Sequence, residues 1–467
     1  MIGVLGVVAC SSSHGTSPDA GGDAGFPVTA TGTHLVDHPA VVGGITSDNY
    51  VAYYDTDADG HTVAEIIPLA GGTATPIATS SGSGKIDIRF ETVGPVVFAW
   101  TDRGDRMSTL TMWSAATGPI AVGPGVRPGR AGATADGTQV LYETAVTATS
   151  ANVVAGPIAG TPQLVGSANA SDNDCWQDTD LTSSGSALFA RFCPGTATAF
   201  SLVTVAGSAA TLSTDAIDAY YGSSAIVWLE ASGTLATATA VLATDATQFS
   251  ISPDETTAAW LTGSGAIYLG SLGSAAPELV VAAPLAKQLG AISPDDQTVL
   301  FASQVVDMGS GYVQPYTDVL EARPGMQPIV LVPQPTSCPS CMFSSFTPDG
   351  AYALVLDPID NSEAADAAGP IHAFATADGT SVGSFGSGVY SAVAVRGTSL
   401  IALDAVRASS LETGWAYGIT LRASPEAGDT VIAQGAENFT FDASLEHAIA
   451  SFSGSGSDAG IWVAPIP

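Results

Sequence analysis

Basic residues are scarce in this chain. Its 467 residues carry Lys+Arg 12 against Asp+Glu 44, a formal net charge of -32. A surface so poor in cations repels nucleic-acid phosphates and anionic headgroups, which excludes nucleic acid and direct lipid-surface binding. Long helical stripes are missing, and no segment approaches the ~18 apolar residues of a membrane span. There is no glycine-rich nucleotide loop, no G-x-S-x-G elbow and no hydrolase domain. What is abundant is Gly 52 together with Ser, Thr and Ala, a composition of many short strands and turns.

One phrase organises the chain. Phe249 to Leu261 reads F-S-I-S-P-D-E-T-T-A-A-W-L, and near-copies return as A-I-S-P-D-D-Q-T-V-L-F-A from Ala291 and S-F-T-P-D-G-A-Y-A-L-V-L from Ser345. Alternating apolar residues make a strand, and Pro fixes φ at the first corner of a turn. Ser, Thr and Asp hydrogen-bond the turn's own backbone, and a second apolar strand returns. The second strands can be followed at Tyr50, Val96, Val140, Ala187, Ile226, Ala258, Val299, Ala353, Leu400 and Ala448. Most are followed by a third and a fourth strand. Ten four-stranded units at intervals of roughly 30 to 55 residues predict an all-β fold, a β-propeller of four-stranded antiparallel blades. A single closed ring is the expected form, although ten exceeds the usual four to eight blades, so one blade is split or there are two rings. The last unit stops one strand short at Pro467, while Pro27 to Val36 is a surplus strand. Pairing that strand into the last blade hides two edges.

The Ser-Pro-Asp and Thr-Pro-Asp-Gly hairpins resemble those of TolB-type, WD40-like propellers of bacterial envelopes. Ala133-Thr-Ala-Asp136-Gly137 is a partial copy and Phe441-Asp-Ala-Ser444 a poorer one. The resemblance implies architecture, not a particular activity.

Residues 1–10, M-I-G-V-L-G-V-V-A-C, resemble the end of a bacterial lipoprotein signal, with a lipobox at Val7-Val8-Ala9-Cys10. The resemblance implies diacylglyceryl transfer to the Cys10 thiol. The apolar run Ile2 to Val8 has no Lys or Arg before it, so either the natural start lies further upstream, the favoured reading, or the stretch is a chance apolar terminus. Residues 11–26, rich in Ser, Gly and Asp, form a flexible tether, leaving 27–467 for the propeller. Ser11 and Ser12 resemble the sorting residues of lipoproteins sent to an outer membrane. The expected address is therefore extracytoplasmic, with membrane contact through the lipid anchor only.

Cys175, Cys193, Cys338 and Cys341 make an even number in an exported chain, which predicts two disulfides. A hairpin turning about Ser184 sets Cys175 opposite Cys193. Cys338-Pro-Ser-Cys341 lacks a thioredoxin-like pattern or a second C-x-x-C, which favours a small structural disulfide over a redox or zinc site.

Asp55-Thr-Asp57-Ala-Asp59-Gly60 carries carboxylates at alternate positions before a glycine, matching the first half of a calcium loop. It resembles the calcium loops of integrin-type propeller repeats, which makes calcium the one cofactor suggested. Its second half does not match, with Val63 and Ile66 at ligand positions, and a polar hairpin turn is the preferred alternative. His34 and His38 share a strand face some distance apart, Arg103-Gly104-Asp105 reads as a turn, and Ser455 to Trp462 narrowly misses a sialidase Asp-box. Tyr53, Trp100, Tyr142, Phe189, Trp228, Trp260 and Phe301 lie mid-strand in apolar runs and are expected to pack between blades rather than form a glycan platform.

The expectation is an exported, lipid-anchored propeller that acts by binding an envelope protein or glycan. An envelope lyase or hydrolase with carboxylates in the channel, or a passive surface component, are the alternatives.

Overall fold

The computed structural model describes residues 29–80, 88–102, 108–147, 150–169, 176–181, 186–192, 198–204, 209–222, 225–273, 276–303, 305–307, 313–316, 318–332, 342–356, 369–396, 399–407, 415–422, 424, 427–442, 444–452 and 459–467. Among these residues every regular element is a strand, the pairings are antiparallel, and four-stranded sheets recur. The fold is all-β, of the β-propeller class. All ten expected second strands are present, from Tyr50–Thr56 to His447–Phe452.

The described residues form two compact units. In the unit made of Ala30–Ile226 and Ala436–Pro467, the strands Val41–Ile45, Tyr50–Thr56, Thr62–Pro68 and Thr75–Thr79 form one sheet in chain order. Seven strands from Ile88–Val93 to Gln163–Asn169 form the next sheet. There the 16-residue strand Gly118–Ala133 pairs with Ser108–Ser114 along its first half and with Gln139–Thr147 along its second. Bulges between Ala121 and Gly123 and between Pro124 and Val126 redirect it; Gly123 and Gly125 supply the positive φ of 106° and 91°. Two expected units are thus joined through one shared strand.

The surplus N-terminal strand pairs as expected in its second half only. Thr33–Val36 lies against Gly460–Pro465 and completes the sheet of Asn438–Phe441, His447–Phe452 and Gly460–Pro465, whereas Thr29–Ala30 is a separate short strand outside that sheet.

In the unit containing Val227–Gly435, Ala246–Ile251, Thr257–Thr262, Ile267–Ser271 and Glu278–Val281 form a four-stranded sheet. The following sheet contains Gln288–Ile292, Val299–Ala302, Val319–Ala322 and Ile329–Val332. A separate ribbon, Val305–Asp307 with Val313–Tyr316, lies in sequence between its second and third strands.

The apolar runs are continuous rather than strictly alternating because the second strands are covered on both faces. Tyr53 packs with Val36, Val42, Ile449 and Ile461, while its neighbour Ala52 packs with Val97, Ala99 and Trp113 of the following sheet. Ala259, Leu261, Phe301 and Leu320 join consecutive sheets of the other unit in the same way. Val-Val-Gly-Gly-Ile carries glycine where the next sheet comes close: a Cβ on Gly43 would meet the Phe90 ring at 2.1 Å.

One turn skeleton links first to second strands. Ser252 Oγ donates to Asp254 Oδ1 at 2.7 Å and accepts from the Thr257 N–H at 3.0 Å, while Asp254 Oδ1 accepts from the Thr256 N–H. Thr134, Ser293 and Thr347 repeat both bonds, and Thr46 does so in a turn one residue shorter. The fourth residue is left-handed each time: Asn49, Gly137, Glu255, Asp296 and Gly350 have φ of 66°, 67°, 60°, 59° and 71°.

Candidate functional site

Two turns, one from second to third strand and one from first to second, carry aspartate at the head where this skeleton carries Ser or Thr. Between Tyr50–Thr56 and Thr62–Pro68, Asp57 heads the turn and Gly60 takes the left-handed place. Asp57 Oδ1 accepts the N–H groups of Asp59 at 3.0 Å and His61 at 2.8 Å, and Oδ2 lies 3.2 Å from His61 Nδ1. Between Asn438–Phe441 and His447–Phe452, Asp442 heads the turn and Leu445 is left-handed. Asp442 Oδ1 accepts the N–H groups of Glu446 at 2.7 Å and His447 at 2.9 Å. Its Oδ2 accepts from Ser444 Oγ at 2.8 Å and lies 3.0 Å from His447 Nδ1.

A hydroxyl has one oxygen to close a turn, whereas a carboxylate closes it with Oδ1 and keeps a second oxygen. In both turns that second oxygen faces an imidazole. The result is two three-residue clusters, Asp57–Asp59–His61 and Asp442–Glu446–His447, whose donor atoms lie within 4.8 Å of one another in each.

The electrostatics follow the hydrogen bonds. The Asp57 carboxyl is held below its usual range, first by the His61 N–H and then by the His61 ring and the Asp59 N–H. Burial pushes the Asp442 carboxyl up, but the His447 ring and N–H, Ser444 and the Glu446 N–H outweigh it and hold the group low. Both head carboxylates are therefore ionised at neutral pH.

The structure divides the three sequence candidates. Asp57 and Asp59 come together with His61. Asp55 sits at the end of its strand and turns to His38, whose Nε2 is 2.9 Å from Asp55 Oδ2. That hydrogen bond, with a weaker one to Asp37, raises the His38 pKa above its ordinary value against partial burial. His34 does not join His38: its ring stacks on Trp462 at 4.3 Å and its Nε2 lies 2.7 Å from the Ala459 carbonyl oxygen. Sequence reasoning missed His61, Glu446 and His447. The available signal was a histidine four or five positions after an aspartate heading a turn.

The mid-strand aromatics Tyr53, Trp100, Tyr142, Trp228, Trp260 and Phe301 are buried. Cys10, Cys175, Cys193, Cys338, Cys341 and Arg103 to Asp105 lie outside the described residues.

No protein-family model matches the chain, and no curated protein matches it. Among solved structures it is similar to the tricorn protease (8% identity, TM-score 0.33, covering 93% of this chain and 61% of that one). It is also similar to a prolyl endopeptidase (9% identity, TM-score 0.38, covering 83% and 55%). The β-propeller domain of the Trilobed protease from Pyrococcus furiosus matches at 9% identity and TM-score 0.31, covering 63% of this chain and 99% of that one. The chain thus spans 61% and 55% of the lengths of the first two peptidases. At these TM-scores the likenesses carry no argument about activity.

Proposed function

We propose that the protein acts by binding, as an exported, lipid-anchored β-propeller module that holds a protein or glycan of the bacterial cell envelope. The observation that carries this reading is the turn skeleton. The hydrogen bonds of Thr134, Ser252, Ser293 and Thr347 repeat, each with an aspartate two places on, while the exposed residue at the fifth place of each turn differs: Thr138, Thr256, Gln297 and Ala351. A rigid frame presenting variable exposed tips is a layout suited to recognition. The Val7 to Cys10 lipobox resemblance and the polar tether behind it support the address.

The test is affinity capture from native envelope membranes with the full chain, repeated with a variant whose 134–138 and 293–297 tips are exchanged. A partner retained by the native chain and lost by the variant supports the reading. The absence of any selectively retained partner leaves a passive surface component instead. Radiolabelled fatty acid incorporated by the native chain but not by Cys10→Ser tests the anchor separately.

A further inference from the structure

The geometry points to divalent transition-metal binding at the two aspartate-headed turns, each using imidazole and carboxylate ligands: Asp57, Asp59 and His61 in one, and Asp442, Glu446 and His447 in the other. The inference is independent of the binding partner argued above and differs from the calcium expected for Asp55, Asp57 and Asp59.

Three observations lead to it. The first is spacing. Adjacent ligands on an ion with bonds of about 2.1 Å lie about 3 Å apart in octahedral geometry. Asp57 Oδ2 and His61 Nδ1 are 3.2 Å apart, and Asp442 Oδ2 and His447 Nδ1 are 3.0 Å apart. The second is the surplus oxygen. The turn is already closed by backbone N–H bonds to Oδ1, so Oδ2 can bind an ion without dismantling the hairpin. The third is histidine usage. The chain has His 6, and two of them close the two turns that aspartate heads, which lie in separate parts of the sequence.

Imidazole selects the metal class. Calcium prefers six to eight oxygen ligands, whereas neutral imidazole with carboxylate suits Zn2+, Ni2+ and similar ions. Binding breaks the hydrogen bond between the imidazole Nδ1 and the carboxylate Oδ2. The metal takes the Nδ1 lone pair of the tautomer protonated on Nε2, so the Nδ1 proton is exchanged through solvent to Nε2 and the ligand stays a neutral imidazole. Water fills the remaining positions, because three protein donors from one short turn do not enclose an ion.

The test uses untagged full-length protein stripped of metal, with Zn2+, Ni2+ or Ca2+ added singly. Bound ions are counted by native mass spectrometry, and the metal-induced shift in melting temperature is recorded. His61→Asn and His447→Asn are the informative variants, since an asparagine amide keeps a donor near the Nδ1 position but replaces the imidazole ligand. The native chain should take up one Zn2+ or Ni2+ per turn, each single variant should lose one ion, and the double variant should lose both with its metal-free melting temperature unchanged. Calcium should produce no comparable shift. No uptake by the native chain overturns the inference. So does uptake that survives in the double variant, which marks diffuse binding by the acidic surface, and so does calcium uptake matching zinc.

Discussion

Thr257 Oγ1 lies 2.8 Å from Asp296 Oδ2, a hydrogen bond between the turns of two consecutive sheets. Thr256 Oγ1 reaches the same oxygen at 2.8 Å and also lies within reach of Asp254, so its single proton serves one carboxylate at a time. Asp296 is left-handed at φ 59°, a conformation that aspartate adopts more readily than most non-glycine residues. It is thus both turn former and clasp. Thr257→Val should destabilise the protein by about 1.5–3 kcal/mol, the range for a hydrogen bond to a charged group. Asp296→Asn, which keeps an acceptor and tolerates the left-handed backbone, should cost less than Asp296→Gly, which keeps only the backbone. Denaturant midpoints that rank glycine above asparagine would show the clasp to be unimportant.

Glu321 supplies a pH prediction. It is 2% exposed, Oε2 has no hydrogen-bond partner, and burial raises its pKa to about 7. The Arg323 charge opposes that rise, but its guanidinium is directed to Thr298 Oγ1 and the Thr376 carbonyl; Asp378 adds repulsion. A folded-state pKa above the ordinary 4.5 means that folding retains a proton the unfolded chain releases. The contribution is most favourable below 4.5, declines as pH rises toward about 7, and stays at its reduced level above. Glu321→Gln, which mimics the neutral carboxyl, should therefore gain stability relative to the native chain between pH 5 and pH 8. A melting-temperature difference that is flat over that window contradicts the assignment.

The sheets were legible because their signals are local: apolar strand runs, Ser-Pro-Asp turns and an unpaired strand at each end. Trp260 and Phe301 were readable as core for the same reason. The site was only half legible. Asp55, Asp57 and Asp59 share a spacing, but the strand ends at Thr56, so Asp55 belongs to strand geometry while Asp57 and Asp59 belong to a turn. Asp296 with Thr257, and His38 with Asp55, are contacts between segments whose separation no local pattern encodes. Glu255, Asp296 and Leu445 in left-handed positions were hidden because non-glycine residues resist that conformation and carry no local mark of it.

The register of Trp176–Leu181 against Ser186–Phe192 bears on the cysteines. Trp176 faces Phe192 and Leu181 faces Ala187, pairs equidistant from residue 184, the turn centre expected for pairing Cys175 with Cys193. Peptide mapping of the non-reduced protein should therefore recover a Cys175–Cys193 linked peptide. Replacing both cysteines with serine should lower stability by about 3 kcal/mol in the chain-entropy account. Two free thiols at these positions in the native chain would overturn the pairing.

The pairing of Thr33–Val36 with Gly460–Pro465 should be among the most sensitive points of the fold, because two glycines permit it. A Cβ on Gly460 would lie 2.0 Å from the Val36 carbonyl oxygen, and one on Gly32 would lie 2.1 Å from that of Val463. Both residues also have positive φ, 114° and 107°, where other residues are strained. Behind the pair, Val36, Ile449, Ile461 and Val463 share one core with Val42, Val51 and Tyr53 of the next sheet, so separating the strand exposes apolar surface on two sheets at once. Gly460→Ala combines backbone strain of order 1–3 kcal/mol with a steric clash against backbone, and should lower the melting temperature by several degrees. Deleting residues 27–36 should lower it further and expose the Gly460–Pro465 edge to proteolysis and self-association. A deletion variant that melts like the native chain and remains monomeric would mean that the C-terminal sheet does not depend on this strand.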